Sequence, residues 1–292
     1  MSAFPRTTVG GISVSRMIAG TNWFLGFSHT TAAKDMLIRE KVRNRKAIAD
    51  ILEVFFRNGV DTVMGLIQQE PLWEGIREAQ DRTGVKAIIV STPSFPANPR
   101  TPVEGFDNDE CRRILDRERE LGATFCMPHT SITDKMVDCC TRQIRQFDGL
   151  CRMIRQRGMI PGLSTHMPEA ITYADETNLD VETYIAIYNA MGFLMHIEVD
   201  WIHRLIHQAR KPVMTIKPMA AGHIRPFQAF HFVWNTLREQ DMVTVGTMTP
   251  AEAQECIDIS LAILEKRQAS VPLQETRSKE TVKRKQPAGT ST

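Results

Sequence analysis

Residues 122–134 read GATFCMPHTSITD, and their reading decides the fold. Gly122 closes a charged helical stretch, 123–128 is a short apolar run with the look of a buried strand, and His129 follows it directly. The same order of signals recurs on both sides. Toward the N-terminus, "KAIIVS" (86–91), "VDTVMG" (60–65) and "SRMIAGTNW" (15–23) read as strands. Toward the C-terminus, "MIPGLS" (159–164), "TYIAIYN" (183–189), "PVMTIK" (212–217) and "MVTVGT" (241–246) do the same. Amphipathic stretches separate them, several ending in glycine as "RNG", "RTG", "ELG" and "RQRG". The longest, 134–158, is expected to be one helix carrying Cys139 and Cys140. Eight strand–helix units predict an α/β fold, a (β/α)₈ TIM barrel over residues 1–268, with "TTVGGISV" as a hairpin capping its N-terminal end. Residues 269–292 lose all periodicity and are expected to form a disordered polar tail whose "KRK" is solvated.

Composition narrows the function classes. At 292 residues, 42% hydrophobic and 24% charged, the chain buries an ordinary globular core. A formal charge of +2 gives no pull toward polyanions or lipid surfaces, so neither nucleic acid nor membrane is an expected partner. The opening "MSAFPRTTVGG" has no apolar core, so no secretory leader is expected, and no apolar run is long enough to span a bilayer. Six cysteines without CxxC spacing suit reduced thiols and a cytoplasmic location. A homo-oligomer is open.

In such a barrel the C-terminal strand ends surround the mouth where ligands bind. His129 after the fourth strand and His166 after the fifth are the expected acid and base, because imidazole titrates near neutral pH. Lys217 ends the seventh strand, where burial would favour its neutral, nucleophilic form, although a salt bridge or phosphate contact is the blander role. Asn22, Trp23 and His29 in the long first loop, with Gln69, Tyr188 and Asn189, are expected to line the substrate's space. A divalent metal held by His29, His129 and His166, with Glu70 or Glu198 adding oxygen, is a further expectation. His203 and His207 lie one turn apart on an outer helix and read as packing or solvated residues.

From residue 8 to 266 the chain resembles the aldo/keto reductase superfamily. The segments that carry the likeness are "GISVSRMIAGT", "AIADILEVFFRNGVDT", "ATFCMPHTS", "GLSTHMPEAI", "IAIYNAMGF", "KPMAAG" and "MVTVGTMTPAEAQECIDI". The resemblance implies an NAD(P)H-dependent reductase with an Asp, Tyr, Lys and His set. His129 matches the histidine, but Met64, Gln69 and Thr92 stand at the other three positions, and Asp61 would serve only if its strand slipped three residues. Among implied cofactor contacts Ser164 matches. Thr165, Ile185 and Ile216 replace the usual Asn, Gln and stacking aromatic. Gly222, Thr247 and Thr249 remain as phosphate candidates, the last two at a helix N-terminus. Related families with iron–sulfur clusters carry a C-terminal cysteine cluster that is missing here. The expected function is therefore a non-redox enzyme (lyase, isomerase or hydrolase) acting on a sugar or other hydroxycarbonyl. A divergent NAD(P)H oxidoreductase and a catalytically silent barrel subunit are the alternatives.

Overall fold

The computed structural model describes residues 3–96, 106, 108–274, 276–280 and 282. The chain opens with an antiparallel hairpin, β1 (Arg6–Val9) and β2 (Ile12–Ser15). Then come β3 (Met17–Gly20), β4 (Thr62–Gly65), β5 (Ile88–Ser91) and β6 (Ala123–Cys126). A second small hairpin, β7 (Val137–Asp138) and β8 (Gln143–Ile144), precedes β9 (Ile160–Pro161) and β10 (Leu163–Ser164). The series ends with β11 (Tyr184–Ile187), β12 (Val213–Ile216) and β13 (Met242–Val245).

The hydrogen-bonded order β10-β11-β12-β13-β3-β4-β5-β6-β9 is parallel throughout. β9 and β10 are the two halves of a single fifth strand, parted at Gly162. The first half pairs with β6 and the second with β11, so the ring closes. A Cβ at Gly162 would stand 2.6 Å from Met127 Cε, which shows how closely that buried side chain lies over the break. The outcome is the expected (β/α)₈ barrel.

Its outer layer comprises α1 (Ala32–Val42), α2 (Arg45–Arg57), α3 (Leu72–Thr83), α4 (Asp109–Glu120), α5 (Thr130–Met136) and α6 (Phe147–Gln156). It continues with α7 (Glu169–Glu176), α8 (Val199–Gln208), α9 (Pro226–Thr236) and α10 (Pro250–Leu264). Among the described residues no helix is long and apolar enough to cross a membrane.

Residues 134–158 depart from the expected single helix. Left-handed backbone at Arg142 (φ +54°) and Gln146 (φ +62°) breaks the run, and the β7–β8 hairpin separates α5 from α6. Cys139 and Cys140 are exposed free thiols in that hairpin's connection rather than on a helix. After α10, Ala269 and Val271 still pack on the core, and α11 (Arg277–Glu280) is a single turn. Half of the expected disordered tail, residues 283–292 with 275 and 281, lies outside the described residues.

Strand pleating sorts side chains into two cores. Met17, Ala19, Val63, Ile89, Tyr184, Ala186, Val213, Val243 and Val245 face the helices. Their alternates Ile18, Met64, Val90, Phe125, Ile185, Met214 and Met242 fill the barrel, and Val9 and Val14 of the hairpin close its lower end. The N-terminal cap is therefore the plug that the sequence predicts. This alternation also fixes which strand-end residues face the opposite, open end.

Candidate active site at the C-terminal mouth

A cavity of about 230 Å³ opens at the C-terminal ends of the strands. Gly20, Gly65 and Gly246 lie in its wall, and a Cβ at Gly65 would stand 1.7 Å from Thr21 Oγ1. His29, His129, His166 and Lys217 all line it, as do Asn22, Trp23, Ser164 and Gly222. Among the described residues no Asp or Glu does. Sequence reasoning thus placed eight residues at one site, brought there by four different strand ends.

Local structure aims each of the ionisable groups. His129 caps α5, its Nδ1 accepting from the Ser131 N–H at 3.2 Å and lying 2.8 Å from Ser131 Oγ. A ring nitrogen that accepts an N–H is unprotonated, so neutral His129 carries its proton on Nε2. His29 has left-handed backbone (φ +59°), and its Nε2 accepts from Asn22 Nδ2 at 3.0 Å. His166 is held through its backbone: its N–H donates to both Asp134 oxygens, at 3.2 and 3.3 Å, and among the described residues its ring makes no hydrogen bond.

Asp134 was missed from sequence, yet it binds the two histidine loops together. Its carboxylate also accepts from Thr130 Oγ1 at 2.7 Å and Thr165 Oγ1 at 2.6 Å. Thr130 and Asp134 sit four residues apart on α5, a spacing that puts them on one helix face and was available in the sequence.

Lys217 follows Ile216, which faces the barrel interior and the cavity. Simple alternation would turn Lys217 outward. Left-handed backbone at Lys217 (φ +63°) breaks the alternation, and the lysine lines the cavity instead. The next loop repeats this conformation at Ala220 (φ +47°), Ala221 (φ +56°) and Gly222 (φ +95°), and is closed by Ala220 N–H donating to Lys217 O at 3.0 Å. Residues other than glycine adopt such backbone at a cost, and they concentrate where function fixes geometry.

The electrostatics are those of a cationic, partly buried pocket. Burial lowers the Lys217 pKa to about 8. Burial, then the Lys217 charge, pushes His166 down to about 4, against an opposing pull from Asp134. The same two causes in the same order bring His29 to about 4, and burial also lowers His129. At neutral pH the three rings are therefore neutral.

Other expected site residues lie elsewhere. Tyr188 has the parity of Tyr184 and Ala186, so it points outward and is buried beneath α8 and α9, its hydroxyl 3.0 Å from Thr236 Oγ1 and 3.3 Å from His203 Nδ1. Asn189 is buried as a loop brace, accepting from Met191 N–H and Phe193 N–H while donating to Phe193 O. Gln69 sits in the β4–α3 connection outside the cavity wall. His203 and His207 pack on the outer helices as expected, with His207 Nε2 2.9 Å from Thr236 O.

The metal expectation is corrected: among the described residues no three His, Cys, Asp or Glu side chains come together to hold an ion. Glu70 and Glu198 do not line the cavity, and the ammonium of Lys217 occupies the same wall as the imidazoles.

A nicotinamide cofactor, which aldo/keto reductases use, fits these residues only in part. Ser164 is in the wall, but Ile185 and Ile216 offer neither an amide nor an aromatic face beside it. The N-terminus of α10 is already closed. Thr249 Oγ1 accepts from Glu252 N–H at 3.1 Å, and Glu252 returns a carboxylate to Met248 N–H at 2.7 Å. Thr247 is buried there outside the cavity wall, its hydroxyl unpartnered among the described residues, and residues 246–252 contain no Lys or Arg. A phosphate would have to displace a carboxylate at this end. Asp61, the one acid near the second strand, is ion-paired to Arg6 of the lower hairpin at 2.9 Å, and β4 keeps an unslipped register with β5.

No protein-family model matches the chain, and no curated protein matches it. Solved structures match through fold. A Pseudomonas aeruginosa protein classed with the aldo-keto reductases superposes with a TM-score of 0.62 at 16% identity, over 89% of this chain and 95% of its own. An aldo/keto reductase of Brucella melitensis gives 0.55 at 13%, over 89% and 93%. A truncated 3-deoxy-D-arabino-heptulosonate 7-phosphate synthase of Thermotoga maritima gives 0.52 at 11%, over 90% and 92%. The chain has the aldo/keto-reductase-like (β/α)₈ barrel fold.

Proposed function

We propose that this protein is a small-molecule enzyme whose barrel mouth performs non-redox acid–base chemistry on a hydroxycarbonyl compound. One observation carries the reading: three neutral imidazoles and a lysine converge on one small cavity that no carboxylate of the described residues lines. Its about 230 Å³ is below the roughly 300–1,000 Å³ of drug-sized sites, so the substrate is small. In this reading His129 Nε2–H donates to a carbonyl oxygen, and Lys217 supplies positive charge where negative charge develops on it. His166, with an unengaged ring and a lowered pKa, takes up the proton. The fold supports this without choosing it, since structures named as reductases and as a synthase share it.

The test is exchange of the α-protons of dihydroxyacetone and glyceraldehyde in deuterated water, followed by NMR. Exchange above the buffer rate that falls at least tenfold in His129→Ala and in His166→Ala supports the reading. Exchange unchanged in both variants overturns it. A second reading, a divergent NAD(P)H oxidoreductase, draws support from Ser164 in the wall and from the shared fold. Saturable quenching of tryptophan fluorescence by NADPH, lost in Ser164→Val, would favour that reading over ours.

A further inference from the structure

Lys217 is the group in this mouth whose placement the acid–base reading leaves unexplained. A positive charge could have been supplied by a lysine paired to a carboxylate, or by one reaching in from a flexible loop. Instead the chain adopts left-handed backbone at Lys217, Ala220 and Ala221 to turn this residue off its strand and into the cavity. Among the described residues its Nζ has neither a hydrogen bond nor an ion pair, although other buried or half-buried cations, such as Arg16 and Arg238, are engaged by backbone carbonyls or carboxylates. Apolar Ile185, Ile216 and Met219 share its wall, and the three imidazoles complete it.

We propose that Lys217 is a nucleophile that joins its substrate covalently as a Schiff base, and that the substrates of this mouth are short aldehydes or ketones bearing a hydroxyl group β to the carbonyl. The inference rests on the hydroxycarbonyl reading above and names the substrate class within it.

The chemistry closes without an oxidant or reductant. The neutral Nζ adds to the carbonyl carbon, the π pair moves to oxygen, and a proton passes from nitrogen to that oxygen through the His129 ring. A second proton, drawn from solvent through the same ring, lets the hydroxyl leave as water and produces a protonated imine. His166 then removes the proton of the β-hydroxyl. The Cα–Cβ pair flows to the imine nitrogen, leaving an enamine on Lys217 and releasing an aldehyde. The His166 imidazolium returns its proton to Cα, and water hydrolyses the imine to regenerate the amine, the carbonyl product and the borrowed proton. Burial that lowers the lysine's pKa to about 8 keeps a usable fraction of neutral amine near neutral pH, where an ordinary lysine has almost none.

Reductive trapping of the intact protein tests this. The protein is incubated with glyceraldehyde, whose C3 hydroxyl lies β to its carbonyl, and sodium cyanoborohydride, then read by intact mass and peptide mapping. The expected result is a single adduct at Lys217, formed at least tenfold faster than at any exposed lysine, rising through about pH 8 and absent in Lys217→Arg. Adducts spread over exposed lysines, with Lys217 no faster than they are, overturn the proposal, and this comparison is made within the unmutated protein. The two readings fail separately. Proton exchange that depends on His129 and His166 without trapping at Lys217 sinks the covalent proposal and leaves the acid–base reading intact. Trapping at Lys217 with exchange indifferent to both histidines does the opposite.

Discussion

Lowering the pH should unfold this barrel through His166 in a way that a single substitution can isolate. Burial, the Lys217 charge and the neighbouring His196 and His129 hold the ring's pKa at about 4, while Asp134 pulls it upward. In the unfolded chain the same ring takes its proton near the ordinary 6.5. Because the folded ring binds its proton later than the unfolded one, this contribution is intact above about pH 6.5 and is lost as the pH falls toward 4. At pH 5 the unfolded ring is nearly all protonated and the folded ring nearly all neutral. At about 1.4 kcal/mol per pH unit, the difference between the two states is then about 2 kcal/mol. His166→Gln removes the titration and keeps a polar side chain. Chemical denaturation of both proteins at pH 7.5 and pH 5 should show the variant gaining about 2 kcal/mol on the wild type over that interval. NMR titration of the ring should place its midpoint near 4. A gap between the two proteins that does not change with pH, or a ring that titrates at 6 or above, would refute the desolvated, Lys217-facing placement of His166.

Three further outcomes follow from particular contacts. Asp134→Ala removes the hydrogen bonds to Thr130, Thr165 and the His166 backbone and should cost about 2–4 kcal/mol by denaturant melts. It should also move the His129 and His166 titrations further down, since Asp134 opposes both shifts. Glu118 is buried with its carboxyl hydrogen-bonded by Ser91, and burial raises its pKa. Stability carried by the protonated carboxyl is therefore lost as the pH rises past the ordinary glutamate range, so Glu118→Gln should gain on the wild type between pH 4 and pH 8. Gly65→Ala sets a Cβ against Thr21 Oγ1 at a backbone φ of +152° and should cost about 3 kcal/mol, of which Thr21→Ala recovers only the steric part.

The barrel was legible because its signals are local and repeated: an apolar run, a polar strand end, a helix, a glycine. Where reading failed, the cause is physical in each case. Residues 134–158 carry apolar positions at helical spacing, and the break falls at Arg142 and Gln146, which take left-handed backbone without a glycine or proline to announce it. Tyr188 looked like a rim residue because it follows a strand. Counting alternation from Tyr184 would have turned it outward. The closed end of α10 was also written in the chain, since Thr249 and Glu252 have the spacing by which a helix satisfies its own first N–H groups. Lys217 is the reverse case. Alternation argues against it, and only the left-handed turn at its own Cα brings it to the mouth.

The charge of this mouth selects what can bind there. Lys217 repels a second cation, and its field lowers the proton affinity of His29 and His166, hence their electron donation to a metal. The same field favours oxygens that carry or acquire negative charge. Thr21 Oγ1 is buried against Gly65 without a partner among the described residues and is closed to solvent, so the groups open to a ligand are Lys217 and the imidazoles. A ligand that satisfies both kinds of group must be small and must present at least two polar atoms, one within reach of Lys217 and one within reach of an imidazole. A metal ion meets neither requirement and an aliphatic carbonyl only one. The proposed hydroxycarbonyl meets both, and its carbonyl is the electrophile that the Lys217 amine, unpaired among the described residues, would attack.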